Sequence, residues 1–201
     1  MEKRAPTSVP IHELIERRWS PRSFANRSVE PEKLRKLFEA ARWAPSSSNI
    51  QPWHFIVATK DNAEEFSRAL DCLRSGNKSW VANAPVLAFS VARSIWPDSS
   101  DVNRHAQYDL GQSVAYLTFE AMTEGLYVHQ MAGIFPDKVR ETYSVPENYE
   151  PMTAMAIGYG GDADALPEDL RKRETAPRTR KTLESFVFAG HWDSPAPFLK
   201  P

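Results

Sequence analysis

Short apolar segments alternate along the chain with amphipathic ones, and this pattern predicts strands interleaved with helices. Residues 53–59, WHFIVAT, and residues 86–92, VLAFSVA, are rich in β-branched and aromatic side chains and indicate two buried strands. Residues 126–131 and 153–160 indicate two more strands. Because the chain has neither an internal repeat nor a linker, residues 1–201 are expected to form a single α+β or α/β domain.

Helical spacing of apolar residues predicts the elements between the strands. A short first helix is expected over residues 10–19 and ends before Pro21, since proline cannot continue a helix. A second helix begins at Pro31 and stops near Trp43, because Pro45 follows. Three further helices are predicted over residues 62–74, 102–124 and 136–143, and the second of these is the longest periodic segment and the expected central helix.

The segment that follows residue 160 is predicted to be largely irregular. It has few periodic runs and carries Pro167, Pro177, Pro195 and Pro197. This is more irregular chain than a compact monomer needs for its loops. We therefore expect a C-terminal extension that wraps a partner subunit.

Composition narrows the classes of protein. The 25 Lys and Arg residues against 26 Asp and Glu leave a formal charge of −1, so no global field attracts nucleic acid or an anionic membrane. No stretch reaches the length of a membrane span, and the start lacks an export signal, so we expect a soluble, cytoplasmic protein. A single Cys72 excludes an internal disulfide, and the histidines lack metal-ligand spacing, so we predict no metal.

Three polar segments are candidates for chemistry. The first is the end of the first helix, where Arg17, Arg18, Ser20 and Arg22 can converge on one dianion, because guanidinium groups match phosphate oxygens. A solvated basic helix end is the alternative for such a cluster. The second is the loop APSSSNIQPWHF, residues 44–55, whose prolines fix its shape and whose amides and hydroxyls can contact a polar heterocycle; a plain turn is its alternative.

The third candidate is the basic run RKRETAPRTRK, residues 171–181. A run of this kind is usually a solvated face or an RNA-binding tail. The interleaved Glu174 and the lack of neighbouring aromatic residues weaken the nucleic-acid interpretation. We therefore predict that nucleic acid is not a partner.

Taken together, these segments resemble the FMN-dependent nitroreductase family. The resemblance is carried by RRWSPRSF at 17–24, APSSSNIQPWHFIV at 44–57, GLYVHQMAGIF at 125–135 and the RTRK near the C-terminus, and it covers nearly the whole chain. Its most specific element is PSSSNIQPWHF. The resemblance implies an α+β fold with helices around a mainly antiparallel sheet, and a homodimer with two FMN molecules bound at the subunit interface.

The basic residues match the family's phosphate-binding positions. In the first motif, the resemblance implies that Arg18 and Ser20 hold the phosphate and ribityl end of FMN and that Arg22 lies near the flavin pyrimidine. Trp19 stands where relatives often carry a small or imidazole residue, so only a backbone contact carries over. The basic pair that closes on the phosphate matches Arg178 and Arg180.

The remaining matches surround the isoalloxazine ring. Asn77 matches an amide that contacts the polar edge of the flavin. Ala132 and Gly133 match a short turn whose backbone orients the reactive N5 atom. The loop that reaches the FMN of the neighbouring subunit matches Pro45, Ser46, Ser47 and Asn49.

The resemblance implies an NAD(P)H-dependent oxidoreductase with ping-pong hydride transfer through FMN N5 to a small acceptor, a nitroaromatic or a quinone. No catalytic side-chain acid or base is then needed, because the cofactor performs the redox step. A flavin-dependent dehydrogenase or reductive dehalogenase on the same scaffold is one alternative. A flavin-binding protein without turnover is another.

Overall fold

A computed structural model describes residues 2–199 and is built on a four-stranded antiparallel sheet. The order of the strands is β1-β2-β4-β3, so β2 and β4 occupy the centre. The strands are β1 (Trp53–Thr59), β2 (Val86–Arg93), β3 (Tyr127–Met131) and β4 (Tyr149–Gly158). All three pairings are antiparallel, which confirms the expected α+β fold with a mainly antiparallel sheet.

Seven α-helices are formed within residues 2–199. They are α1 (Glu13–Arg17), α2 (Pro31–Arg42), α3 (Ala63–Asp71), α4 (Ser75–Val81), α5 (Ala106–Thr123), α6 (Pro136–Tyr143) and α7 (Glu168–Thr175). Proline begins α2 and α6, where the missing N–H costs no hydrogen bond. In the described range, no helix combines the length and the apolar character that crossing a membrane requires.

Helices cover both faces of the sheet and divide the interior into two cores. Along β2, Val86 and Ala88 face the core shared with α2 and α5, whereas Leu87 and Phe89 face the core shared with α3 and α4. This alternation follows from the two-residue period of a strand. Both faces of β2 are buried, which explains why its sequence is an unbroken run of mostly apolar residues.

One predicted helix, residues 62–74, is in fact two. The side chain of Asn62 caps α3 by accepting a hydrogen bond from the Glu65 N–H at 3.1 Å, and the helix ends at Asp71. The next residues then pair with the chain that follows β3: Leu73 bridges Ile134. This tertiary pairing interrupts the helix, and α4 begins only at Ser75.

Other boundaries differ for similar reasons. The first helix covers only Glu13–Arg17, and α5 begins at Ala106 because Val102 pairs with Ile95 instead of joining the helix. β4 begins at Tyr149, earlier than expected, and its pairing with β2 continues past an irregularity between Ser90 and Val91. The helix α7 was not predicted, since its only buried residues are Leu170 and Glu174.

The C-terminal segment packs loosely on its own chain. Phe188 and Pro195 form an isolated bridge, and single helical turns lie at Leu183–Ser185 and Pro197–Leu199. Trp192 is 85% exposed and Phe198 77% exposed. Wrapping of a partner subunit by this segment stays a prediction.

The connection after β4 packs tightly on residues 23–24, directly after the basic residues 17–22. Gly161 donates its N–H to the Ser23 carbonyl at 2.9 Å, and Gly160 bridges Phe24. A Cβ atom at Gly161 would lie 2.6 Å from Ser23 Oγ and 2.7 Å from the Phe24 carbonyl carbon. Glycine at this position therefore lets the chain approach the backbone of residues 23–24.

We expect Gly161→Ala to lower the free energy of unfolding by about 1–3 kcal/mol, since the added methyl group meets backbone atoms that cannot rotate away. Urea unfolding measures the change. Gly76→Ala is the matched control, because a Cβ there meets nothing within 4 Å and replacement of a helical glycine is neutral or stabilising. Equal effects of the two substitutions would contradict the close packing.

Candidate functional site

The fold gathers basic residues that are far apart in the sequence. Arg18 follows α1, whereas Arg178 and Arg180 follow α7. Burial lowers the pKa of Arg18, and the positive charges of Arg178 and Arg180 lower it further, so the three guanidinium groups are neighbours. Arg18 Nη1 also donates a hydrogen bond to Ser20 Oγ at 3.1 Å.

Lys3 joins this group, and the sequence contained no signal for it. The N-terminal segment runs beside α1, where the Ala5 N–H donates to the Glu16 carbonyl at 2.9 Å. Lys3 Nζ donates to the Glu174 carbonyl at 2.5 Å. Burial lowers the pKa of Lys3; Glu174 opposes this shift, and Arg178 and Arg22 add to it.

These basic side chains have no carboxylate partner of their own. We call them the basic cluster: Lys3, Arg18, Arg22, Arg178 and Arg180. Among the described residues, none of the five forms an ion pair within 4.0 Å, although fourteen other such contacts occur. Like charges that lie close together repel one another, and a bound anion relieves that repulsion. The basic cluster therefore fits a ligand with a phosphate group.

The two predicted C-terminal arginines differ in their surroundings. Arg178 Nη1 donates to the carbonyls of Lys3 at 2.7 Å and Glu16 at 2.8 Å, so part of this guanidinium ties the N-terminal segment to α1. The Arg180 side chain is exposed, and its Nη1 donates only to the neighbouring Thr179 carbonyl at 2.7 Å. Arg180 is thus the freer of the two to bind a ligand.

His129 supports the motif from β3. Its Nδ1 lies 2.8 Å from the Pro21 carbonyl oxygen, and because a carbonyl only accepts, Nδ1 carries the proton. The ring packs on Trp80, with centroids 4.4 Å apart. Burial lowers the pKa of His129 from 6.5 to about 4, and the nearby positive charges of Arg22 and Arg18 contribute to the shift. His129 is therefore neutral near pH 7.

Trp19 packs inside the protein beneath the basic cluster. It is 8% exposed and contacts the Tyr127 ring edge to face, with centroids 6.2 Å apart. Lys3 Nζ lies 5.0 Å from the centre of its ring. The side chain whose role the resemblance left open is thus a packing element under residues 18–22.

Asn77 and the Ala132–Gly133 turn, two separate matches to the family, are in contact in the structure. The Gly133 carbonyl accepts hydrogen bonds from the Arg74 N–H at 2.9 Å and from Asn77 Nδ2 at 3.3 Å. A Cβ at Gly133 would overlap Asn77 Nδ2, so a side chain there would require the Asn77 amide to move. Within residues 2–199 the Gly133 N–H has no hydrogen-bond acceptor, which leaves it free to donate to a ligand.

β3 connects this turn to the basic cluster. His129 lies four residues before Gly133, or about 13 Å of extended chain. Trp80, against which His129 packs, lies one helical turn after Asn77 on α4. A single elongated ligand with an anionic end can therefore reach from the basic cluster to the turn.

The serine-rich loop is held elsewhere on the molecule. The Ser47 N–H donates to Oδ2 of the buried Asp109 on α5 at 3.0 Å, and the Gln51 N–H donates to Ser46 Oγ at 3.0 Å. Ser48, Asn49 and Gln51 all have positive φ, near 50°. Such strain persists only where surrounding contacts fix the backbone.

Hydrogen bonds tie this loop to α5 and to itself rather than to the basic cluster of its own chain. In the part of the chain that the structure describes, no side-chain hydrogen bond or ion pair joins residues 45–49 to any member of that cluster. Pro45 and Asn49 are exposed, and Ser46 and Ser47 are partly exposed. The four residues are therefore accessible to a ligand or another subunit.

Comparisons with known proteins point to one family and one fold. The model of the Nitroreductase family matches residues 15–159. A solved structure described as an oxidoreductase containing FMN is 34% identical, covers 94% of this chain and 96% of its own, and superimposes with a TM-score of 0.88. A protein of Polynucleobacter asymbioticus named "Putative NADH dehydrogenase/NAD(P)H nitroreductase" is 27% identical over 74% of this chain and 84% of its own.

One relative carries a different activity in its name. The iodotyrosine deiodinase of Haliscomenobacter hydrossis is 22% identical over 87% of this chain and 90% of its own length. The scaffold is therefore shared with a protein named for removing a halogen.

The pKa of His129 makes stability depend on pH. Because this pKa is about 4 in the folded protein and 6.5 when unperturbed, the unfolded chain binds the proton more readily between these values. We expect the contribution of His129 to be complete above pH 6.5 and to decline toward pH 4 by up to about 3 kcal/mol. Urea unfolding from pH 7.5 to 4 measures it.

His129→Gln is the control for that series. Glutamine does not titrate but can still donate to the Pro21 carbonyl. The variant should lose less stability than the native protein over the same pH range. Identical pH profiles would show that other groups cause the dependence.

Proposed function

The chain belongs to the Nitroreductase family, and from this premise we propose that it is an FMN-dependent oxidoreductase that uses NAD(P)H to reduce a small organic acceptor. The proposed acceptors are nitroaromatics and quinones, reduced by a ping-pong mechanism. The observation that carries the proposal is the basic cluster, whose five positive side chains lack carboxylate partners among the described residues.

The phosphate of FMN would neutralise that cluster. Arg18 and Arg180 provide guanidinium groups that are not used in ion pairs within residues 2–199, and Ser20 lies beside Arg18. Each charge-assisted hydrogen bond contributes about 1.5–3 kcal/mol. Arg178 contributes charge and holds the N-terminal segment in place. We place Arg22 near the flavin pyrimidine, where its positive charge would stabilise negative charge on the ring.

The turn after β3 would position the reactive end. The free Gly133 N–H is proposed to donate to N5, and Asn77, already in contact with Gly133, to contact the polar edge of the ring. Ala132 and Phe135 are exposed beside this turn and leave room for a substrate to stack. When bound, FMN supplies the hydride transfer. The chain then needs to orient the flavin ring and neutralise the phosphate, and no side chain needs to act as an acid or a base.

A homodimer with shared sites would complete the arrangement. Pro45, Ser46, Ser47 and Asn49 are accessible, and among the described residues none of them is hydrogen-bonded to the basic cluster of its own chain. Their anchor, Asp109, is on α5, which exposes Tyr108 (70%) and Tyr116 (45%). Exposed aromatic side chains on one helix are typical of a protein interface. We propose that pairing through α5 brings this loop to the FMN of the second copy. The C-terminal segment of each copy is proposed to wrap the other subunit.

A second candidate keeps the site and changes the acceptor. The similarity to an iodotyrosine deiodinase favours reductive removal of a halogen from an aromatic substrate as the runner-up. A flavin-binding protein without turnover would have the same basic cluster. The two alternatives differ from the leading proposal in how the bound flavin responds to reductant and acceptor.

The purified protein should bind FMN, and anaerobic stopped-flow mixing should show its flavin absorbance bleached by NADH or NADPH. Nitrobenzene or a benzoquinone should then restore the absorbance. Recovery only with an iodophenol would favour the dehalogenase. A bound flavin that neither nucleotide bleaches would leave a binding protein, and failure to bind FMN would exclude the proposal.

Shared sites can be tested with two variants that each damage one half of the site. Arg180→Ala removes a phosphate ligand and should weaken FMN binding by about tenfold or more. Asn49→Gly removes the loop amide while glycine tolerates the φ of 53° at this position. In a heterodimer of the two variants, one site carries both changes and the other site carries neither.

We therefore expect the separated heterodimer to bind one FMN with native affinity, whereas both homodimers bind weakly. Fluorescence titration of the apoproteins measures the affinity and the stoichiometry. Lys181→Ala is the control for loss of a positive charge near Arg180. Two equally weakened sites in the heterodimer would contradict the shared arrangement.

A further inference from the structure

One buried carboxylate, that of Glu174, lies beside the basic cluster, and its oxygens form no ion pair with the basic side chains among the described residues. Glu174 is 1% exposed. Both of its carboxylate oxygens accept the Arg22 N–H at 2.9 Å, and Oε1 also accepts the Ser23 N–H at 3.1 Å. The carboxylate is therefore used to hold backbone, across a separation of about 150 residues.

The neighbouring groups of the same segment are held as well. The Pro21 carbonyl is bound by His129, and Ser23 Oγ donates to the Asp162 carbonyl at 2.6 Å. Among the described residues, the Arg22 and Ser23 N–H groups have no hydrogen-bond acceptor other than the Glu174 carboxylate. Without its oxygens, the part-buried Arg22 N–H and the buried Ser23 N–H would lose their partners.

The negative charge of Glu174 and its hold on the backbone predict opposite effects on phosphate binding. A carboxylate placed among side chains that bind a phosphate repels that phosphate, so its removal should strengthen binding. Positioning predicts weaker binding, because Arg18 and Ser20 in the same segment would no longer be held where the phosphate needs them. The two effects have opposite signs, which makes them separable by experiment.

We propose that Glu174 is a positioning residue for FMN: it fixes the backbone of Arg22 and Ser23 and so orders the segment 18–22 before the cofactor binds. This inference rests on the proposed function. It assigns a role to the single acidic residue of the basic run 171–181, a role that the family match does not cover, since the matched region ends at residue 159.

The test compares FMN with riboflavin, which lacks the phosphate, on the apoproteins. Glu174→Gln keeps the length of the side chain and one accepting oxygen but removes the second oxygen and the charge. We expect FMN affinity to fall about tenfold and riboflavin affinity to fall by a smaller factor. Glu174→Ala should enlarge the difference, and thermal melts show whether each variant is folded.

Glu168→Gln is the matched control, because it removes the same charge from the exposed side of the same helix, where Glu168 pairs with Lys172 at 2.7 Å. It should leave FMN affinity unchanged or slightly higher. Tighter FMN binding by Glu174→Gln would show that the carboxylate acts only as a charge, and equal losses for both flavins would show a general structural role. Either result overturns the inference, whereas a native protein that binds neither flavin overturns the proposed function itself.

Discussion

Repulsion among five positive side chains is the constraint around which this end of the molecule is organised. The segments that carry Lys3, Arg18, Arg22, Arg178 and Arg180 come from the N-terminus, the end of α1 and the chain after α7. They stay together because side chains of one segment bind the backbone of another: Arg178 donates to the carbonyls of Lys3 and Glu16, and the Glu174 carboxylate accepts from the N–H groups of Arg22 and Ser23. These hydrogen bonds hold together positive charges that repel one another.

The sheet relates this charged end to the proposed reactive end. β3 is the edge strand next to β4, and it carries His129 against the Pro21 carbonyl before it leads into the Ala132–Gly133 turn. On the other side of that turn, α4 provides Asn77 and packs Trp80 on His129. Strand β3, the turn and helix α4 therefore set the distance between the basic cluster and the Gly133 N–H.

Local patterns were sufficient for most of the fold and for part of the site. Strands β1 and β2 follow from apolar runs, and α2 and α6 follow from proline placement and helical spacing, because these signals lie within each segment. The break between α3 and α4 was missed because it depends on the pairing of Leu73 with Ile134, about sixty residues away. Lys3 and the carboxylate role of Glu174 were missed for the same reason: their partners are far away in the sequence.

The packing of Gly133 on Asn77 also limits how the pocket can be remodelled. Any side chain at position 133 would displace the Asn77 amide, whereas Ala132 and Phe135, on either side, project to the surface. Replacements at Ala132 and Phe135 would therefore leave the packing of Gly133 on Asn77 in place. Under the proposed function, libraries at these two exposed positions are where protein engineering for new acceptors would begin.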